Sequence, residues 1–194
     1  LINIWGSDHS GYVSRLKNAI KQIANKEIKF EVLLTGLVNL YDNKKPVKMS
    51  KRSGTFITMR DVIQKVGSDA LRFMMISRDV NQTIDFDFQI VKNQNKDNPV
   101  FYVQYAHARC MSLIRIFDKT FEDKKKDFKD FDNNLANLIL KEEISIIKIL
   151  SNFHNIILLS AIHYEPHRIT NYLYNLARIF HNYWGLGRVD ASSK

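Results

Sequence analysis

The sequence predicts an α/β segment followed by an all-helical one, and three observations carry that expectation. Alternating apolar residues mark strands only in the first half of the chain. After Pro99 the strand signals vanish and helical spacing takes over, apart from one charged stretch. Between the two lies the most polar junction in the sequence, Lys92-Asn93-Gln94-Asn95-Lys96-Asp97-Asn98-Pro99. The spacing therefore places one domain over 1–97 and a helical one over 98–194. With 194 residues, 45% of them hydrophobic, the chain has enough apolar material for one core or two smaller ones.

The elements follow in order. Leu1 to Trp5 reads as a short strand, and Gly6-Ser7-Asp8-His9-Ser10-Gly11 leads into a helix with Val13, Leu16, Ile20 and Ile23 on one face, half of a βαβ unit. Ile28, Phe30, Val32 and Leu34 alternate as a half-buried strand does, until Thr35-Gly36 breaks the pattern. Leu37 to Tyr41 is a further strand, closed by the turn Asp42-Asn43-Lys44-Lys45-Pro46. Thr58, with Asp61 three residues on, caps a helix that Gly67 ends, and Ser68 is expected to cap the next, about Asp69 to Arg78. That helix is apolar nearly all round and is expected to be buried. Ile84 to Phe88 alternates again. Pro99 then opens a long helix to about Phe117 with Val103, Ala106, Cys110, Leu113 and Phe117 as one stripe. The charged stretch Asp118 to Asp132 reads as a loop, and helices are expected at roughly Asn134 to Asn152, Phe153 to His163 and Pro166 to Trp184.

Charge narrows the partner class. Lys and Arg number 29 against 20 Asp and Glu, a formal net charge of +9, which suits a polyanion such as nucleic acid. The excess is spread along the chain: 16 basic and 10 acidic residues lie in 1–97, and 13 and 10 in the remainder. A lone cysteine, Cys110, excludes an internal disulfide and fits a reducing cytoplasm. No Cys/His spacing suggests a metal site. The longest apolar runs are broken by Lys, Asn or His, so no membrane span is expected, and the first residues lack the basic start of a signal peptide.

The densest chemistry lies in Lys48-Met49-Ser50-Lys51-Arg52-Ser53-Gly54-Thr55. Mobile cations stabilise charge on a leaving pyrophosphate, hydroxyls and backbone N–H groups add hydrogen bonds, and glycine lets a loop bend over a nucleotide. Residue chemistry alone also allows a solvated basic turn. It is not a Walker A loop, since the G-x-x-x-x-G-K-[ST] pattern is missing. Tyr102, Tyr105 and Arg109 share a helix face, a pattern that serves either for stacking on unpaired bases or as a core edge. Phe180 and Trp184 are four apart near the end of the last helix, behind Leu173, Leu176 and Ala177. His163, His167 and His181 read as surface or cap residues.

Four strings in one order resemble arginyl-tRNA synthetases, within the class I aminoacyl-tRNA synthetases. They are Trp5-Gly6-Ser7-Asp8-His9-Ser10-Gly11-Tyr12, Lys48 to Thr55 with its K-M-S-K signature, Gly67-Ser68-Asp69-Ala70-Leu71-Arg72-Phe73, and Asp97-Asn98-Pro99-Val100-Phe101-Tyr102-Val103-Gln104-Tyr105-Ala106-His107-Ala108-Arg109. The resemblance covers Trp5 to Arg109 closely and the rest more loosely. It implies the C-terminal half of a Rossmann-type class I catalytic domain over 1–97, followed over 98–194 by a helical-bundle anticodon-binding domain truncated at its C-terminus.

The resemblance also implies roles. Lys48, Ser50 and Lys51 would be catalytic, with Asp8, His9, Met49 and Arg52 at the ATP and amino-acid pocket. Tyr102, Tyr105, Arg109, Phe180 and Trp184 would face the anticodon. The implied reaction is ATP-dependent activation of arginine, with Mg2+ accompanying ATP, and transfer of the arginyl group to tRNA(Arg), in a cytoplasmic monomer. Ser7 and Ser10 depart from the family's usual Ala and second His, so no role is carried to Ser10. The alternative, read from the residues alone, is Asp8 as a helix-start cap and His9 as a supporting hydrogen-bonder. No H-I-G-H-type string occurs in the 194 residues, so the chain by itself is expected to be inactive. The alternatives are a non-catalytic tRNA-binding fragment or paralogue, and another class I specificity.

Overall fold

The computed structural model describes residues 1–49, 54, 56–95, 97–120 and 140–186. The chain divides into two compact units, Leu1–Lys92 with Glu165–His167, and Asn93–Tyr164 with Arg168–Lys194.

In the first unit, β1 (Ile2–Gly6) runs through a 3-10 turn, Ser7–Tyr12, into α1 (Val13–Ile23) and on to β2 (Glu31–Thr35). β1 and β2 are parallel, Ile2 opposite Glu31 and Gly6 opposite Thr35, so α1 is the crossover that parallel pairing requires. The strand starts three residues later than the alternation from Ile28 suggested.

A second sheet has the order β4-β3-β5, built from β3 (Val38–Asp42), β4 (Lys45–Pro46) and β5 (Ile84–Asp87). β3 is antiparallel to β4 and parallel to β5. Asn43 and Lys44, at φ 52° and 62°, make the tight turn between β3 and β4, the conformation that lets a two-residue hairpin follow the strand twist. Gly36 has a separate reason to be glycine. A Cβ there would sit 2.3 Å from the Gln82 carbonyl oxygen, where the Val80 carbonyl already accepts the Gly36 N–H at 2.8 Å.

Between β3 and β5 come α2 (Met59–Val66) and α3 (Ser68–Met75). Thr58 Oγ1 accepts the Asp61 N–H at 3.2 Å while Asp61 Oδ2 accepts the Thr58 N–H at 2.8 Å, a reciprocal capping box. Gly67, at φ 85°, ends α2 and starts α3. Ser68 does not cap α3 as expected, because it is already the first helical residue and its hydroxyl turns to Asp69 Oδ1 at 3.4 Å. Nor is α3 buried all round: of its residues only Leu71 is fully buried, and Ile76 lies past its end, exposed. Val62, Leu71, Ile84, Phe86, Phe88 and Val91 form the core, with Phe86 and Phe88 edge to face at 5.6 Å. Phe88 belongs to a short helix, α4 (Phe88–Lys92), and not to the strand its alternation predicted.

The second unit contains α5 (Pro99–Thr120), α6 (Lys141–Ser151), α7 (Phe153–His163) and α8 (His167–Trp184). Buried Asn98 starts α5: its Oδ1 accepts the Val100 N–H at 3.0 Å, and its Nδ2 donates to the Asn93 carbonyl at 2.7 Å. Ala106 of the expected stripe is buried, while Phe117 is exposed. α5 runs to Thr120, into the stretch expected to be loop, whose remainder lies outside the described residues, as do 134–139 of the next helix. Ile144, Ile147 and Leu150 on α6, and Ile157, Leu158 and Ile162 on α7, are exposed. By length and composition Lys141–His163 passes as a membrane-spanning stretch. Lys148, Asn152 and His154 interrupt its apolar run, and one helix of this kind is weak evidence for a membrane span.

Candidate nucleotide loop and nucleic-acid interface

The start of the basic loop follows directly on a fixed base. Val47 donates its N–H to the Leu40 carbonyl at 2.8 Å and packs on the core, while Lys48 and Met49, next along the chain, are exposed. Ser50, Lys51 and Arg52 lie outside the described residues.

Asp87 holds the hairpin from behind. It is 7% exposed, and its Oδ2 accepts the Lys44 N–H at 2.7 Å while Oδ1 accepts the Gln89 N–H at 2.8 Å. Gln89 Nε2 in turn donates to Asp42 Oδ1 at 2.9 Å. Burial alone pushes the Asp87 carboxyl up, but bonds from the backbone N–H groups of Lys44, Gln89, Ile90 and Asn43 together hold it below its ordinary value. The sequence reading passed over Asp87 as the polar partner of an alternating strand. The only available signal was an acid flanked by two phenylalanines.

Asp8 and His9 sit in the 3-10 turn that follows β1, at the carboxyl end of a parallel strand, the edge at which open α/β sheets bind ligands. Both are exposed, His9 Nε2 lying 3.7 Å from Asp8 Oδ2. Asp8 caps no helix here, since Gly6 precedes the turn without any side-chain cap bond. Trp5, His9 and Tyr12 line a pocket of about 370 Å³.

In the second unit, residues from α5 and α8 that are more than 70 positions apart come together. Arg109 donates from Nη2 to the Tyr105 hydroxyl at 3.0 Å and from Nη1 to His181 Nδ1 at 3.0 Å. Its guanidinium carbon lies 4.2 Å from the centre of the Tyr105 ring and 4.9 Å from that of Trp184. Phe180 packs on Trp184 at 5.8 Å, and Tyr105 is 43% exposed. Tyr102, half-buried like Phe180 and Trp184, has its ring 5.3 Å from Tyr174 and 4.5 Å from His181. The two groups read separately from the sequence thus form one aromatic and cationic cluster. His181, read there as a surface or cap residue, is half-buried at its centre, because helical spacing on α8 cannot show what α5 brings against it.

A profile of the DALR anticodon binding domain matches residues 103–193, and one of class I tRNA synthetases (I, L, M and V) matches residues 4–87. Curated proteins named arginine-tRNA ligase align over nearly the whole chain. That of Rhizobium leguminosarum bv. trifolii is 46% identical over 188 residues, 97% of this chain, and that of Wolbachia pipientis subsp. Culex pipiens 47% over 189. The chain belongs to the arginyl-tRNA synthetase family. It spans about a third of the length of those relatives, 32% in both cases. A solved arginyl-tRNA synthetase chain from Campylobacter jejuni superposes with a TM-score of 0.81 at 31% identity, covering 99% of this chain and 40% of that one. The Thermus thermophilus arginyl-tRNA synthetase, at 20% identity and a TM-score of 0.67 over 100% of this chain and 34% of its own, shares the fold. The two units correspond to a class I synthetase catalytic segment and a helical DALR domain.

Proposed function

We propose that this chain supplies the K-M-S-K half of the active site and the anticodon-reading domain of an arginine-tRNA ligase. The complete protein would activate arginine with ATP, its Mg2+ arriving with the nucleotide, and pass the arginyl group to tRNA(Arg). The observation that carries the reading is the exposed start of a basic loop, Lys48-Met49, on a core-anchored hairpin in a chain whose relatives over its whole length are named for that reaction. The catalytic part would occupy 1–97 and the anticodon-binding part 98–194.

In this reading the carboxylate of arginine attacks the α-phosphate of ATP and pyrophosphate departs. Lys48 and Lys51 stabilise the charge that develops on the triphosphate, with Ser50 adding a hydrogen bond and Met49 and Arg52 lining the nucleotide. Asp8 and His9 border the ATP and amino-acid pocket. Tyr102, Tyr105, Arg109, Phe180 and Trp184 take unpaired anticodon bases by stacking and charge.

The test is Lys51→Ala in the complete gene product. Arginine-dependent pyrophosphate exchange should lose kcat by about 100-fold with little change in KM for ATP, the mark of a contact made in the transition state. Equal losses in the two parameters contradict the role.

A further inference from the structure

We propose that His181 is a positioning residue that fixes the guanidinium of Arg109 over Tyr105 and Trp184. The proposal rests on reading that cluster as an RNA-binding face. His181 Nε2 lies 3.0 Å from the Tyr102 carbonyl oxygen, which only accepts hydrogen bonds, so Nε2 carries the proton. Its Nδ1 lies 3.0 Å from Nη1 of Arg109, and a guanidinium only donates, so Nδ1 presents a lone pair. The two partners together select one neutral tautomer. The ring is held in place, 4.5 Å from Tyr102 and 5.6 Å from Tyr105, nearly parallel to the latter.

The consequence falls on Arg109. Bonds to His181 and to the Tyr105 hydroxyl occupy two edges of the guanidinium, and the Tyr105 and Trp184 rings lie close to its carbon. An arginine on a flexible stem loses side-chain entropy when it binds; one already fixed has less to lose. A guanidinium carries five N–H donors, and those not used in fixing it remain for a phosphate or a base edge.

Binding of tRNA(Arg) to the complete gene product tests this through a double-mutant cycle. His181→Leu should weaken binding about 10-fold, the loss expected from one charged hydrogen bond. Arg109→Ala should weaken it at least as much, and the double variant should bind no worse than Arg109→Ala alone. Additive losses, or wild-type binding by His181→Leu, overturn the positioning role. Wild-type binding by Arg109→Ala instead overturns the RNA-face reading on which it rests. Should His181→Leu fail to fold, the comparison of His181→Asn with His181→Gln decides. The shorter amide places its oxygen near the position of Nδ1, so Asn should retain more affinity than Gln, and the reverse order overturns the proposal.

Discussion

At the scale of single residues, the hairpin that presents the basic loop depends on one buried carboxylate held by backbone N–H groups. Asp87→Asn keeps the shape but weakens the acceptor for the Lys44 and Gln89 amides. We expect a local loss of about 1–3 kcal/mol, seen as hydrogen exchange at Lys44 and Gln89 faster by roughly 10-fold or more. Because the folded carboxyl is held below its ordinary value, this contribution is present at neutral pH and is lost as the pH falls through the folded value. The exchange difference between wild type and variant should therefore shrink in acid. Unchanged exchange at neutral pH would show that Asp87 does not hold the hairpin. Arg109 makes the complementary point in the second unit: its partners on α5 follow from helical spacing, whereas His181 and Trp184 arrive from α8. One-dimensional spacing places residues on a face and leaves open which face meets which.

At the scale of elements, much was legible where the signal was local. The Thr58 capping box, the Gly67 stop, the turn after β3 and the α8 helix follow from residues within one turn of each other. The misreadings share a different cause. Phe88 continued an alternating pattern, yet its apolar side chain serves equally well at the start of α4, and only the Phe86 packing separates the two. α3 looked buried all round because apolar content was read without knowing which side the core occupies. Gly36 illustrates a constraint invisible in sequence, because the chain pressed against it lies more than 40 residues away. Gly36→Ala should destabilise the first unit by about 1–3 kcal/mol, whereas Gly11→Ala, with open space at its Cβ, should cost far less. Urea unfolding of both variants compares them, and equal midpoints would contradict the close approach.

At the scale of the whole molecule, the exposed start of a basic loop lies on one unit and an aromatic and cationic cluster on the other, in a chain whose relatives are named arginine-tRNA ligases. Spread basic charge gave a polyanion as partner but could not say which surface meets it. The apolar faces of α6 and α7 fall inside the stretch matched by the anticodon-domain profile. The most direct test of the central claim is aminoacylation of tRNA(Arg) with arginine by the complete gene product, comparing wild type with Arg109→Ala on a cognate transcript and on one with a substituted anticodon. The account predicts that wild type prefers the cognate transcript, and that Arg109→Ala loses most of that preference by raising KM for the cognate tRNA while arginine-dependent pyrophosphate exchange stays intact. Undiminished discrimination by Arg109→Ala, or no charging with arginine by the wild-type protein, would contradict it.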